Sequence, residues 1–223
     1  MTARRPALAL ALLLATSLTA CNDPAEGKPA AKTEAAASAT PPAAPATTGA
    51  PAPAAAAAAI PEGAVAFDQR AGTIQWVGSK VTGSHLGGFE RFHGWIQHDP
   101  GSGSYAFEVV IDMASVTSDS GGLTRHLQSG DFFLVSEHPT ATFRTTEPIL
   151  PSEGKATVVG ELTLRGVTKK LSFPAEISVR EDGYTFKSEF TLERFDWGVA
   201  YEGAADDLIR NAVVVKLAFE STL

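Results

Sequence analysis

The stretch Tyr105-Ala106-Phe107-Glu108-Val109-Val110-Ile111-Asp112-Met113 decides the fold. Tyr105, Phe107, Val109, Ile111 and Met113 share one parity, and Ala106, Glu108, Val110 and Asp112 share the other. Successive side chains of a strand point to opposite faces, so this pattern reads as a strand with one apolar side. The same reading extends outward in both directions. Leu171, Phe173, Ala175, Ile177 and Val179 oppose Ser172, Pro174, Glu176, Ser178 and Arg180. Tyr184, Phe186, Ser188, Phe190 and Leu192 oppose a polar set from Thr185 to Glu193. Shorter matches occur at Ile74/Trp76, Trp95, Ala141/Phe143, Val158–Leu164 and Val213–Phe219. About eight strands result, each with one apolar face, which is the mark of an antiparallel sheet solvated on one side. Closing them into a barrel removes the edges and leaves room inside for one small ligand. A two-sheet sandwich satisfies the same alternation. Residues 121–130, with Leu123 and Leu127 at helical spacing, predict a short helix, and residues 203–210 a second.

Composition divides the chain. Residues 22–59 hold 18 Ala and 7 of the 14 Pro but no Val, Ile, Leu, Phe, Tyr or Trp. Such a segment lacks the apolar surface to offset its ordering entropy, so it reads as a disordered linker. As a flexible coil it would span roughly 35 Å, and extended up to about 120 Å. The expected organisation is therefore 1–20 signal peptide, 21–59 Cys21 plus linker, and 60–223 the folded domain. That last part is long enough to bury about 70% of its unfolded surface.

From Ile60 onward there are 14 Lys+Arg against 22 Asp+Glu and no basic stripe, which argues against nucleic acid as a partner. The chain's one cysteine, Cys21, excludes intrachain disulfides, cysteine-based zinc sites and a thiol nucleophile in the domain. No nucleophile motif or phosphate loop occurs. His93 and His98 have opposite strand parity and cannot easily share a metal. No catalytic residue, metal site or cofactor is assigned, and the protein reads as a non-enzyme.

The N-terminus carries Arg4-Arg5, an apolar run from Ala7 to Ala15, and then Leu18-Thr19-Ala20-Cys21. The run is too short to span a bilayer as a helix, which needs about 20 residues. It matches an export signal, and its end resembles the lipobox of bacterial lipoproteins, in which the cysteine is acylated. This places the chain in the bacterial cell envelope, anchored through Cys21. Asn22 after the cysteine resembles the outer-membrane sorting pattern, with the domain facing the periplasm.

Three blocks resemble the YceI family of bacterial periplasmic and secreted proteins. They are Gly83-Ser84-His85-Leu86-Gly87-Gly88-Phe89 with Phe92-His93-Gly94, Leu127–Phe133 with His138-Pro139-Thr140-Ala141-Thr142-Phe143, and Val159–Thr168. The stretch Leu123-Thr124-Arg125-His126-Leu127 keeps the His and last Leu of the family's Arg-Asp-x-His-Leu. The resemblance implies an all-β, eight-stranded antiparallel lipocalin-like barrel with one or two short helices. It also implies binding of a long isoprenoid, a polyprenyl lipid or quinone-like molecule. The candidate interior residues are Trp76, Phe107, Val109, Phe143, Leu162, Phe173, Ala175, Phe186, Ser188, Phe190 and Leu217, and His126 is a candidate head-group contact. Small inward residues such as Ala141, Gly160, Ala175 and Ser188 are expected to leave a channel between the rings. The competing reading is a solid core of interdigitated side chains, and with it a ligand-free envelope interaction or stress-response protein.

Overall fold

The alternation at 104–113 forms a strand, Ser104–Asp112, with Tyr105, Phe107 and Val109 buried on its inner face. The structure, a computed structural model, describes residues 23–35, 60–180 and 183–222. Fourteen strands occur in it. They are β1 (Lys32–Ala35), β2 (Val65–Asp68), β3 (Gly72–Lys80), β4 (Gly83–Phe89), β5 (Phe92–Asp99), β6 (Ser104–Asp112), β7 (Val116–Ser118), β8 (Thr140–Thr145), β9 (Lys155–Leu164), β10 (Val167–Arg180), β11 (Gly183–Glu193), β12 (Gly203–Ala204), β13 (Asp207–Leu208) and β14 (Ala212–Thr222). The one α-helix among the described residues, α1 (Gly121–Gln128), matches the expected first helix. The expected second helix at 203–210 is instead the two-residue hairpin β12–β13. Leu208 and Ile209 there face different surroundings, so no helical stripe exists to bury.

Twelve strands make one antiparallel sheet in the order β2-β5-β6-β8-β9-β10-β11-β14-β3-β4-β7, with β1 added beside β10. β4 runs on into β5 through Glu90 and Arg91, and β6 into β7 through a short 3-10 turn at Met113–Ser115. Each pair acts as one bent strand: β5 pairs with β6, and β4 pairs with β7. At the bend, Glu90 N–H donates to Ser115 O at 3.1 Å and Arg91 N–H to Ser115 Oγ at 3.0 Å. Counted so, eight strands curl into the lipocalin-like barrel, and β1 and β2 are additions to it.

Close backbone approach explains two glycines. A Cβ on Gly87 would lie 2.2 Å from Thr117 O and from the Trp76 ring. A Cβ on Gly160 would lie 2.4 Å from Arg144 O and 2.5 Å from the Phe143 ring. Gly160 is therefore no gap in a channel, because the Phe143 ring occupies the space. Outward parity does not always mean exposure: Glu108, Thr191 and Val214 are buried, the Glu108 carboxylate lying 3.3 Å from Arg144 Nη1.

Part of the presumed linker belongs to the fold. β1 pairs with β10 from Lys32↔Ser172 to Ala35↔Lys169. The β10–β11 ladder stops at Glu176↔Lys187, so beyond it the two strands part. The N-terminal segment fills that seam. Ala31 N–H donates to Thr191 O at 2.9 Å, and Thr191 N–H to Pro29 O at 2.9 Å. Ion pairs hold its flanks, Lys28–Glu189 at 3.0 Å and Arg210–Asp23 at 3.1 Å. The expectation of an unstructured 22–59 thus fails for 23–35. Backbone bonds offered by two open strand edges supply what the segment's small side chains cannot. Residues 36–59 lie outside the described residues, as does Cys21.

Candidate functional site

Inside the barrel lies a cavity of about 350 Å³, within the range of small-ligand sites, roughly 300–1,000 Å³. Eight of the eleven residues expected to face the interior line it: Trp76, Phe107, Val109, Phe143, Leu162, Phe173, Phe190 and Leu217. Three do not. Phe186 lies behind it, beside a second void of only about 20 Å³. Ala175 and Ser188 are buried but line neither space. Ser188 Oγ donates to Pro174 O at 2.6 Å, so its small side chain answers a backbone acceptor and leaves no channel.

The two ends of the cavity differ. At one end aromatic rings close it. Phe219 meets Phe67, Phe92 and Phe186 with centroids 5.5, 5.7 and 6.0 Å apart, close enough for favourable ring pairing. At the other end β3 turns into β4, β11 runs into a 3-10 turn at Arg194–Trp197, and α1 lies across the opening. There Leu127 and Phe132 pack with Val116 and Val199, and Leu123, Phe133 and Ile209 join them. Phe132 and Phe133 thus help to close this end, and Asp131 Oδ2 lies 2.8 Å from His126 Nε2.

Period-two alternation could not reveal this cap, because it comes from a helix and loops. Leu123 and Leu127 alone carried a signal, their helical spacing. Trp197 was equally hidden. It is fully buried, and its Nε1 donates to Leu162 O at 3.1 Å.

All four polar side chains of the lining sit at the capped end: Ser79, Lys80, His85 and Arg194. Lys80 and His85 are about one-third exposed, at 34% and 38%, so the cavity reaches the surface beside them. Lys80 pairs with Asp207, and His85 Nδ1 lies 2.8 Å from Asp119 Oδ1. Those contacts hold the Asp207 and Asp119 carboxyls below the usual carboxylate range. Arg194 is buried and donates only to backbone carbonyls, of Arg210 at 3.0 Å, Val199 at 2.6 Å and Ile209 at 3.1 Å. Burial lowers the basicity of its guanidinium, opposed by the charge of Glu202. Trp76 Nε1 and Ser79 Oγ, also buried, have no hydrogen-bond partner among the described residues.

His126 does not line the cavity. It sits on the cap, edge-on to Phe132 and Tyr201 at 5.0 and 4.9 Å. Among the described residues no group of three or more His, Cys, Asp or Glu could hold a metal ion.

The family model described as a YceI-like domain matches residues 66–221. The chain belongs to the YceI-like family. A UPF0312 protein of Vibrio cholerae is 33% identical over 126 residues, which cover 53% of this chain and 67% of that protein. A UPF0312 protein of Pseudomonas aeruginosa is 38% identical over 98 residues, covering 41% and 51%. Among solved structures, Burkholderia cenocepacia BcnA superposes with a TM-score of 0.62 at 20% identity, covering 68% of this chain and 96% of that one. A polyisoprenoid binding domain from Saccharophagus degradans, implicated in plant cell wall breakdown, gives 0.57 at 15% identity, covering 72% and 99%. At such identities the likeness is one of fold.

Proposed function

We propose that this YceI-like barrel binds a long isoprenoid, a polyprenyl lipid or quinone-like molecule, and serves as its carrier or reservoir in a bacterial envelope. The observation that carries this reading is the cavity's polarity: apolar along its length, with Ser79, Lys80, His85 and Arg194 gathered at one end. An amphiphile with a branched apolar tail and one polar head fits such a space, tail towards Phe219 and head at the cap. The polyisoprenoid-binding description of the Saccharophagus domain supports the same class of ligand. The lipobox at Leu18–Cys21 supports anchoring through acylated Cys21, with the domain in the periplasm on the outer membrane.

An isoprene unit has five carbons, so burying one contributes about 4 kcal/mol at roughly 0.8 per carbon. A few units suffice for a complex that survives purification, even after ordering costs. Native mass spectrometry of the protein purified from its own cells should show a discrete increment extractable into organic solvent. A protein that flies empty under conditions that preserve its fold favours the ligand-free interaction protein instead.

A further inference from the structure

We infer that the capped end of the barrel rests on a lipid bilayer, with Val81, Leu86, Tyr201 and Leu208 in contact with it. The inference rests on the proposed acylation of Cys21 and adds an orientation that the anchor alone does not give. Among the described residues eight large hydrophobic side chains are exposed, and five lie at the capped end: Val81, Leu86, Phe195, Tyr201 and Leu208. Val81 and Leu208 are neighbours, since Val81 N–H donates to Leu208 O at 3.2 Å, and they are 55% and 47% exposed. They crown the turn and hairpin that border the opening at Lys80 and Ile209. A patch of apolar side chains around a cavity mouth marks a contact with another apolar phase.

The chain itself says which phase. Asp23 is pinned to Arg210 at 3.1 Å, and Arg210 N–H donates to Ser79 O at 2.8 Å, so the described chain starts at the rim of the opening. Cys21 is two residues earlier, and two residues span at most about 7 Å. Acyl groups on Cys21 therefore enter the bilayer beside the mouth. Residues 23–35 return to the barrel wall, so no long spacer separates Cys21 from the rim. Three ion pairs flank the patch: Lys80 with Asp207, Arg210 with Asp23 and His85 with Asp119. Glu202 and Asp206, beside Tyr201 and Leu208, are exposed, and their carboxylates would stay among the headgroups while the apolar side chains insert. A prenyl lipid would then pass between bilayer and cavity without crossing water.

The test uses the full chain, purified with its own anchor and placed in phosphatidylethanolamine–phosphatidylglycerol vesicles containing nitroxide-labelled lipid. Fluorophores are attached at Leu208→Cys, at Val81→Cys and, as the opposite-end control, at Leu150→Cys, where the native side chain is 62% exposed. Flotation with the vesicles, and its loss in Cys21→Ala, reads the anchor separately. The expected result is that chains float and that labels at 208 and 81 lose most of their emission while the label at 150 keeps it. Floating chains with all three labels quenched alike, or none quenched, overturn the orientation and leave the anchor standing. Labels at 208 and 81 shielded from aqueous iodide but not quenched by lipid assign the patch to a second copy of the chain and also overturn it. Chains that never float overturn the anchor reading and the orientation with it.

Discussion

Thr33 Oγ1 donates a 2.6 Å hydrogen bond to Asp196 Oδ2, tying the N-terminal strand to the turn that ends β11. Lys169 Nζ binds the other carboxylate oxygen at 2.9 Å, so one aspartate joins β1, β10 and the Arg194–Trp197 turn. The seam beside the cavity is therefore closed by a strand whose side-chain fastenings are ionic or nearly so. Leu171 and Phe190, which line the cavity, flank that strand directly.

Acid should loosen this strand before the barrel. The Thr33 hydroxyl and then the Lys169 ammonium hold the Asp196 carboxyl below the usual aspartate range. Lys28 and then Lys216 do the same for Glu189. A depressed carboxylate pKa stabilises the fold above the ordinary value, and that contribution is lost as pH falls through the folded one. Hydrogen exchange at Ala31 and at Lys32–Ala35 should speed up below the ordinary carboxylate range while β6 and β9 stay protected. In Asp196→Asn the acid step should shrink; an unchanged profile would show that this carboxylate does not hold the strand.

Two replacements separate the parts of the Ala/Pro-rich segment. Exchanging 41–59 for a Gly/Ser stretch of equal length should leave stability unchanged within a few tenths of a kcal/mol, as expected of substitutions away from packed features. Replacing 23–35 by a Gly/Ser stretch should cost roughly 1–3 kcal/mol, at about 1 kcal/mol per hydrogen bond lost. Chemical denaturation reads both. Equal effects would contradict the seam.

Ala141 offers the cavity-filling variant. It is buried, lines the main cavity and lies between Ile111 and Phe143, which line it too. Ala141→Leu should remove a bound lipid from the native mass spectrum at little cost in stability. Ala175→Phe and Ser188→Phe sit outside the cavity wall and should instead overpack the core by about 1–3 kcal/mol. If Ser188→Phe proved neutral, the closed end would be looser than the aromatic packing implies.

Arg194 holds the capped end together through three carbonyls of the loop it spans. Arg194→Met keeps most of the volume but leaves those acceptors unpaired, which should cost roughly 3 kcal/mol, since hydrogen bonds from charged groups are the strong ones. Arg194→Lys cannot reach three carbonyls at once and should recover only part of the loss. Thermal melts with and without bound lipid measure both. A neutral Arg194→Met would mean that water replaces the guanidinium at no cost.

The sequence by itself determined the strands, their inner faces and most of the lining, while the barrel rather than a sandwich came from the family resemblance. The reason is geometric: a strand sends alternate side chains to opposite faces, so Phe107, Phe143, Phe173, Phe190 and Leu217 faced inward on parity alone. Only the tertiary structure decided the rest. Whether a small inward residue leaves a space depends on which neighbour leans over it: Phe143 fills the space at Gly160, and Ala141 borders an open one. The cap and its basic side chains come from a helix, loops and a 3-10 turn, where no short period marks the inner side. The docking of residues 23–35 had no local signal at all. Their side chains offer little to bury, and the strand forms because β10 and β11 part beyond Glu176 and leave backbone donors and acceptors that a passing chain can satisfy.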